Sequence, residues 1–287
     1  MSRIVVITGV SSGIGRDSVR KLLQEGYNII STVRNETDRQ EVLNSYPDNH
    51  KCIICDITKD EELDKFIAEL DSQLDGRKIF ALINNAGIAI PGPMHLLPDD
   101  KFFKQMDVNL IATRKITNRL IPKMASEDSS NRPKIIFISS VSGIIASAFN
   151  GAYCVSKHAL ECLIDVYRRE LYFLGIDVVS IQPGPIKTRI WSKVMGSYDQ
   201  YKGTEFHDIA QKADKIIQES ERNALDVSRV SDCINSILRS NKPKLRYLIH
   251  KRPFMIRLIG HWLPASWLDK MMWKTLGNKD SKKYRPI

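Results

Sequence analysis

The sequence predicts an α/β fold: a doubly wound parallel sheet of about seven strands with helices on both faces. Three observations predict it. Short apolar runs at Arg3–Ile7, Tyr27–Val33, Lys51–Cys55, Ile79–Asn84, Lys134–Ser139, Ile176–Gln182 and Leu245–Ile249 alternate with helix-like stretches, the order of linked strand-helix-strand units. These runs are mostly Ile, Val, Leu and Phe without polar alternation, as strands covered on both faces require. The first run also turns through glycines into a helix-like segment, the context in which a helix N-terminus meets a phosphate.

The elements follow in order. Ile4-Val-Val-Ile7 leads into Thr8-Gly-Val-Ser-Ser-Gly-Ile-Gly15 and then the helix-like Arg16–Glu25. Glycines 9, 13 and 15 allow close backbone approach to a pyrophosphate at the positive end of a helix, where the first N–H groups are unsatisfied. The spacing is G-x-x-x-G-x-G rather than G-x-G-x-x-G, and an ordinary βα turn would need only one glycine. The third run holds Cys52 and Cys55. Their odd separation on a strand puts them on opposite faces, which reads as two core thiols and not a redox pair. The fourth run closes on Asn84-Asn85-Ala86-Gly87, the fifth on Ser140, and the sixth on Pro183-Gly184-Pro-Ile186-Lys-Thr188.

Thirteen residues after Ser140 comes Tyr153-Cys-Val-Ser-Lys157. On a helix over 151–174 the phenol and the ammonium share a face one turn apart. A nearby cation favours phenolate and lowers a pKa that otherwise sits near ~10, toward the range of a general acid/base. Ser140 reaches the same oxygen from a second direction. Together the three groups polarise a C=O or hold an alcohol. A Tyr-x-x-x-Lys pair alone would read as a solvated helix pair; its company makes the difference.

Taken together, the glycine turn, Asn-Asn-Ala-Gly, Ser140 with Tyr153 and Lys157, and Pro-Gly resemble the short-chain dehydrogenase/reductases, in family order and spacing, from about Arg3 to Ile249. The resemblance implies a Rossmann-type sheet and hydride transfer between a nicotinamide cofactor and a carbonyl or alcohol. It makes Asn109 in Met106-Asp-Val-Asn-Leu110 a fourth catalytic member beside Ser140, Tyr153 and Lys157, holding a water that links the lysine to solvent. The other reading of Asn109 is a helix-interior amide bonded to backbone. Cofactor contacts are implied at Gly9, Ser11, Ser12, Gly13, Ile14, Gly15, Arg34, Asp56, Ile57, Asn85, Ala86, Gly87, Tyr153, Lys157, Pro183, Gly184, Ile186 and Thr188, with Asp56 near adenine. No metal enters this reading. At the end of the second run, Thr32 and Arg34 offer a donor and a cation where an acidic residue would repel a 2′-phosphate. That favours NADP(H), with NAD(H) as the alternative. Ser at both 11 and 12 withholds a second cation.

The walls around the triad are expected from Ile88–Leu97, Val141–Phe149 and the insertion after Thr188, with Ile190, Trp191, Val194, Met195, Tyr198, Tyr201 and Phe206. They are apolar and aromatic, whereas a sugar or nucleotide site would need buried polar groups. A lipophilic ketone, aldehyde or alcohol follows. Within the family the chain is most similar to the hydroxysteroid and retinol dehydrogenase branch.

Residues 1–250 read as one catalytic domain and 251–287 as a basic, apolar extension. The chain of 287 residues carries a net charge of +10. From Lys242 onward twelve Lys/Arg face only Asp269 and Asp280, so the tail holds a surplus of ten and the rest is formally neutral. Three of the four Trp lie here, and apolar residues at 267, 268, 271, 272 and 276 mark a short amphipathic helix, Ala265–Leu276, after Pro264. Either this helix lies on an anionic membrane, or the tail packs over a substrate cleft. No nucleic-acid-binding motif accompanies the charge, so a nucleic-acid partner is not expected. A first strand by residue 3 leaves no room for a leader, and no apolar stretch approaches the ~20 residues of a membrane span. A cytoplasmic protein, peripheral at a membrane and homo-oligomeric as is common in the family, is expected. The alternative function is a nucleotide-bound scaffold or redox sensor whose tail engages a membrane or partner.

Overall fold

The computed structural model describes residues 3–46, 48–124, 132–188, 190 and 200–276. Its strands are β1 (Ile4–Thr8), β2 (Asn28–Val33), β3 (His50–Ile54), β4 (Ile79–Asn84), β5 (Lys134–Ile138), β6 (Asp177–Pro183) and β7 (Arg246–Ile249). Each lies within one residue of an apolar run read from the sequence. All pairings are parallel, in the order β3-β2-β1-β4-β5-β6-β7. The chain therefore winds outward in one direction from β1, and in the other from β4. That switch point leaves a crevice at the carboxyl ends of the strands.

Strand alternation fills two cores, one on each face. In β1, Ile4 and Val6 pack into one cluster with Phe66, Leu120 and Ile164, while Val5 and Ile7 face the other with Leu22 and Ile234. Cys52 and Cys55 fall into opposite clusters, as their odd spacing requires. Burial pushes the Cys55 thiol up to about 12, which keeps it inert.

The helices take their places by the spacing of their apolar residues. α1 (Gly13–Gln24) buries Gly15, Ser18, Val19 and Leu22, one stripe along the helix. It starts three residues before the expected Arg16, since extended Ser12 already closes the glycine turn. α2 (Glu36–Ser45) is capped by Asn35, whose side chain accepts from the Asp38 N–H at 2.8 Å. α3 (Asp60–Leu74) opens with three acids at its positive end and buries Leu63, Phe66, Leu70 and Leu74. α4 (Asp99–Met106) continues through a π-helical segment, Asp107–Ala112, into α5 (Thr113–Leu120). α6 (Gly151–Glu170) tightens into a 3-10 turn, Leu171–Leu174, and stops at left-handed Gly175. This matches the expected 151–174. Next come α7 (His207–Arg222), α8 (Ser228–Arg239), α9 (Pro253–His261) and α10 (Ala265–Leu276).

α10 has the bounds that its apolar spacing predicts. No residue of α9 or α10 is fully buried. The pair still touches the body: a Cβ at Gly260 would collide with the Ile144 side chain, so α9 lies close over that loop only because glycine stands there.

Candidate active site

The ends of β1, β4, β5 and β6 and the first turns of α6 build the site. Past β1, Gly9 and Gly13 adopt positive φ (70° and 60°). Gly15 is required for another reason, because a Cβ there would stand 2.5 Å from both the Gly9 carbonyl oxygen and Asn85 Nδ2. Asn85 Nδ2 donates to the carbonyls of Thr8 and Gly9 at 2.9 and 2.8 Å, and the N–H groups of Asn85 and Ala86 both donate to Thr8 Oγ1 at 3.0 Å. The glycine turn and the end of β4 are thus locked together. Thr8 does this work, and the sequence reading missed it because a strand-terminal threonine carries no distinctive signal.

Past β5, Ser140 Oγ accepts from the Ser142 N–H at 3.1 Å and lies 3.5 Å from the Pro183 carbonyl at the end of β6. Tyr153 and Lys157 rise from the first turns of α6, 6 % and 5 % exposed. Lys157 Nζ donates to the Ile138 carbonyl at 2.8 Å and stands 5.7 Å from the centre of the Tyr153 ring. Burial pushes the Tyr153 phenol up to about 12, although its hydrogen bond with Ser140 acts the other way. Burial also brings the Lys157 ammonium down to about 8, with Glu161 opposing. The sequence expectation that Lys157 holds the phenol below its ordinary value is therefore not met here. Desolvation dominates, and the ammonium is aimed at the strand carbonyl.

Asn109 is buried within the π-helical segment, a form that recurs at functional sites. Its Oδ1 accepts from the Ile88 N–H at 2.9 Å, and its Nδ2 donates to the Ile88 carbonyl at 3.0 Å and to Ser156 Oγ at 3.1 Å. Gln105, one turn earlier, braces the same loop by donating to the Ile88 carbonyl and accepting from the Ile90 N–H, both at 2.8 Å. Asn109 thus clamps the strand-β4 loop to α6.

One cleft of about 1350 Å³ joins these groups. It is lined by Gly9, Ser11, Ser12, Gly13, Ile14, Arg34, Asp56, Ile57, Asn85, Ala86, Gly87, Ser140, Tyr153, Lys157, Pro183, Gly184, Ile186 and Thr188. Of the catalytic and cofactor residues named from the sequence, all but Gly15 and Asn109 line it. Asp56 Oδ1 is engaged by the Thr58 N–H and hydroxyl at 3.0 and 2.8 Å. Arg34 is exposed at the rim.

The glycine-cradled half suits a dinucleotide: the first turn of α1 carries no acidic side chain, and Ser12 makes no side-chain cap that would occupy its N–H groups. The chain also matches the short chain dehydrogenase family over residues 3–198. It is a short-chain dehydrogenase/reductase. It is 34% identical over 96% of its length, and 97% of the other chain, to an NADPH-dependent 3-dehydrocapnine reductase of Ornithobacterium rhinotracheale. It is 29% identical to mouse retinol dehydrogenase 16, over 95% of this chain and 88% of that one. A short-chain dehydrogenase from Streptomyces avermitilis has the same fold, with TM-score 0.77 at 23% identity and 99% of each chain covered.

The far half of this dehydrogenase/reductase's cleft is walled by Ile88, Ala89, Ile90, Pro91, Leu97, Val141, Ala148, Ile190 and Tyr201, from the three segments read as walls. Phe206 packs behind, against Phe149 at 5.9 Å between ring centres. Trp191, Val194, Met195 and Tyr198 lie outside the described residues. Two further contributors are Ala213 and Ile216 of α7, and Leu268, Met272 and Leu276 of α10. The packing of α10 over the cleft was the alternative reading of the tail. Ile144 and Ile145, expected as wall, turn instead to α9. Among the described residues no group of His, Cys, Asp and Glu could hold a metal ion, and no helix is long and apolar enough to cross a membrane.

Proposed function

We propose that this oxidoreductase uses NADP(H) to reduce a lipophilic ketone or aldehyde, or to run the reverse reaction on the alcohol. The observation that carries the reading is a single cleft in which Ser140, Tyr153 and Lys157 sit between a glycine-cradled end and an apolar end. Bound NADPH would supply the hydride. Tyr153, kept a neutral phenol by burial, is in the form that donates a proton to the substrate oxygen. Ser140 stabilises that oxygen, and Lys157 holds the nicotinamide ribose with its charge. Asn109 keeps the Gly87–Ile88 loop against α6 and holds a water toward Lys157. Residues 1–250 form the catalytic unit.

Arg34 supports the phosphate-bearing cofactor, as does the named NADPH dependence of the Ornithobacterium relative. Apolar walls support the lipophilic substrate, in line with the retinol named for the mouse relative. A homo-oligomer and a peripheral membrane contact through 251–287 belong to the same reading. Phe103 at 65% and Ile111 at 41% exposure on the helix through α4 and α5 offer apolar surface for a second copy.

NADPH consumption against a panel of carbonyl compounds tests the proposal. Turnover is expected with long-chain or polycyclic carbonyls and not with sugars. NADPH binding without turnover of any carbonyl would point instead to a nucleotide-bound sensor. Arg34→Asp replaces a charge-assisted bond to the 2′-phosphate by repulsion, so it should weaken NADPH much more than NADH. Equal loss of both would make Arg34 an adenine-stacking residue.

A further inference from the structure

α9 and α10 have two unlike faces. On the inner face Leu268, Met272 and Leu276, at i, i+4 and i+8, close one side of the cleft. The Leu276 carbonyl accepts from Lys212 of α7 at 3.4 Å. On the outer face Phe254, Trp262, Trp267 and Trp273 are 79%, 80%, 62% and 52% exposed. Among them stand Lys251, Arg252, Arg257, Lys270 and Lys274, all exposed, with Asp269 the one acidic residue between 251 and 276. Apolar patches of this kind mark contact surfaces.

The chemistry of the patch selects its occupant. Protein interfaces deplete Lys at their centres, whereas indole rings with Lys and Arg between them suit the headgroup level of an anionic bilayer. Charge complementarity agrees, since the segment from Lys242 carries the chain's whole surplus of ten positive charges. The inner face of α10 opens on the cleft.

We propose that α9 and α10 rest on anionic lipid through Phe254, Trp262, Trp267 and Trp273, and that the seam between α10 and α7 is the door by which substrate passes from the bilayer into the cleft. The door half rests on the lipophilic-substrate reading; the docking half does not. Among the described residues the lid is held by a stripe of partly buried side chains and the Lys212 hydrogen bond, with no fully buried residue, so it can part from α7 without disturbing the sheet.

The experiment uses the full chain with vesicles of phosphatidylcholine, with and without phosphatidylglycerol, and no substrate. Co-sedimentation is expected with phosphatidylglycerol at low salt, falling as ionic strength rises. Lipids brominated along the acyl chain should quench Trp fluorescence. A variant carrying Trp262→Ala, Trp267→Ala and Trp273→Ala should lose binding by about tenfold or more, as loss of interfacial indoles implies. Its turnover of a short, water-soluble carbonyl should stay within about twofold of wild type, because these rings do not line the cleft. Its turnover of a carbonyl dissolved in vesicles should fall with binding.

Wild-type protein remaining in the supernatant at low salt overturns the proposal. So does a variant that still sediments, one that loses the soluble-substrate activity equally, or patch substitutions that change only the mass of a lipid-free oligomer. Nucleic acid displacing the protein from vesicles, with no quenching by brominated lipid, would assign the patch elsewhere. Vesicle binding with no turnover of any carbonyl would sink the proposed function and leave the docking surface standing.

Discussion

α6 and α10 border the same cavity and are held in opposite ways. α6 buries Ala152, Tyr153, Cys154, Ser156, Lys157, Leu160, Glu161, Ile164 and Tyr167, whereas α10 buries nothing. α6 is also bolted to the sheet: Lys157 reaches the β5 carbonyl of Ile138, and the Glu161 carboxylate accepts from Ser180 Oγ of β6 at 2.6 Å and from Arg246 Nε of β7 at 3.0 Å. α10 lies against α7 by its inner stripe. Reacting groups need placement to within a fraction of an ångström, which packed elements supply. A wall that substrate must pass needs only to close, and weakly held elements do that. In the proposed reading the first helix carries the chemistry and the second gives access.

The sharpest way to break this assignment is to remove the proton donor. Tyr153→Phe keeps the ring and its packing, and general acid catalysis is worth roughly 10²–10⁴. Turnover should fall by about that factor while NADPH binding, read by fluorescence titration, stays close to wild type. A variant that keeps more than about a tenth of the activity would mean that the phenol is not the donor.

The next test compares anchorage directly. Ile164→Ala empties a position that is 1% exposed in the core and should cost about 2–5 kcal/mol in urea unfolding. Leu268→Ala, on a helix with no buried residue, should cost under about 1 kcal/mol, the ordinary range for partly exposed sites, and should raise the KM of a bulky substrate. Equal costs would show that α10 belongs to the folding core and is no door.

The two regions were not equally legible in the sequence. Strands buried on both faces are written as unbroken Ile, Val, Leu and Phe, so each fell within one residue, and the glycine turn and the Ser140, Tyr153 and Lys157 set are local motifs. The bounds of α10 were legible too, because its apolar spacing is local. Where α10 lies was not, since an amphipathic stripe says that one face is covered without saying by what. Thr8 and Gln105 were missed for a related reason. Their partners, Asn85 and Ile88, are distant in sequence, and such pairings leave no mark in either segment. The raised phenol of Tyr153 was hidden as well, because four-residue spacing reports the nearness of a cation and not the degree of burial.

The smallest effect concerns Lys157, and it separates placement from burial. Burial lowers its ammonium to about 8, while Glu161, one turn along α6, pushes the other way. A lowered base binds fewer protons in the folded chain than in the unfolded one between about pH 8 and the ordinary lysine value near ~10.4. Its contribution to stability therefore rises with pH across that window. Ribose binding needs the charged form, so NADPH affinity should fall with pH through the same window. The two trends have opposite signs. Titrating NADPH fluorescence and urea midpoints from pH ~7 to ~10 should reveal both in the wild type. Lys157→Met, which carries no titrating group there, should bind NADPH more weakly and without that fall. If wild type and variant lose affinity in parallel as pH rises, the proton is not on Lys157 and its charge does not hold the cofactor.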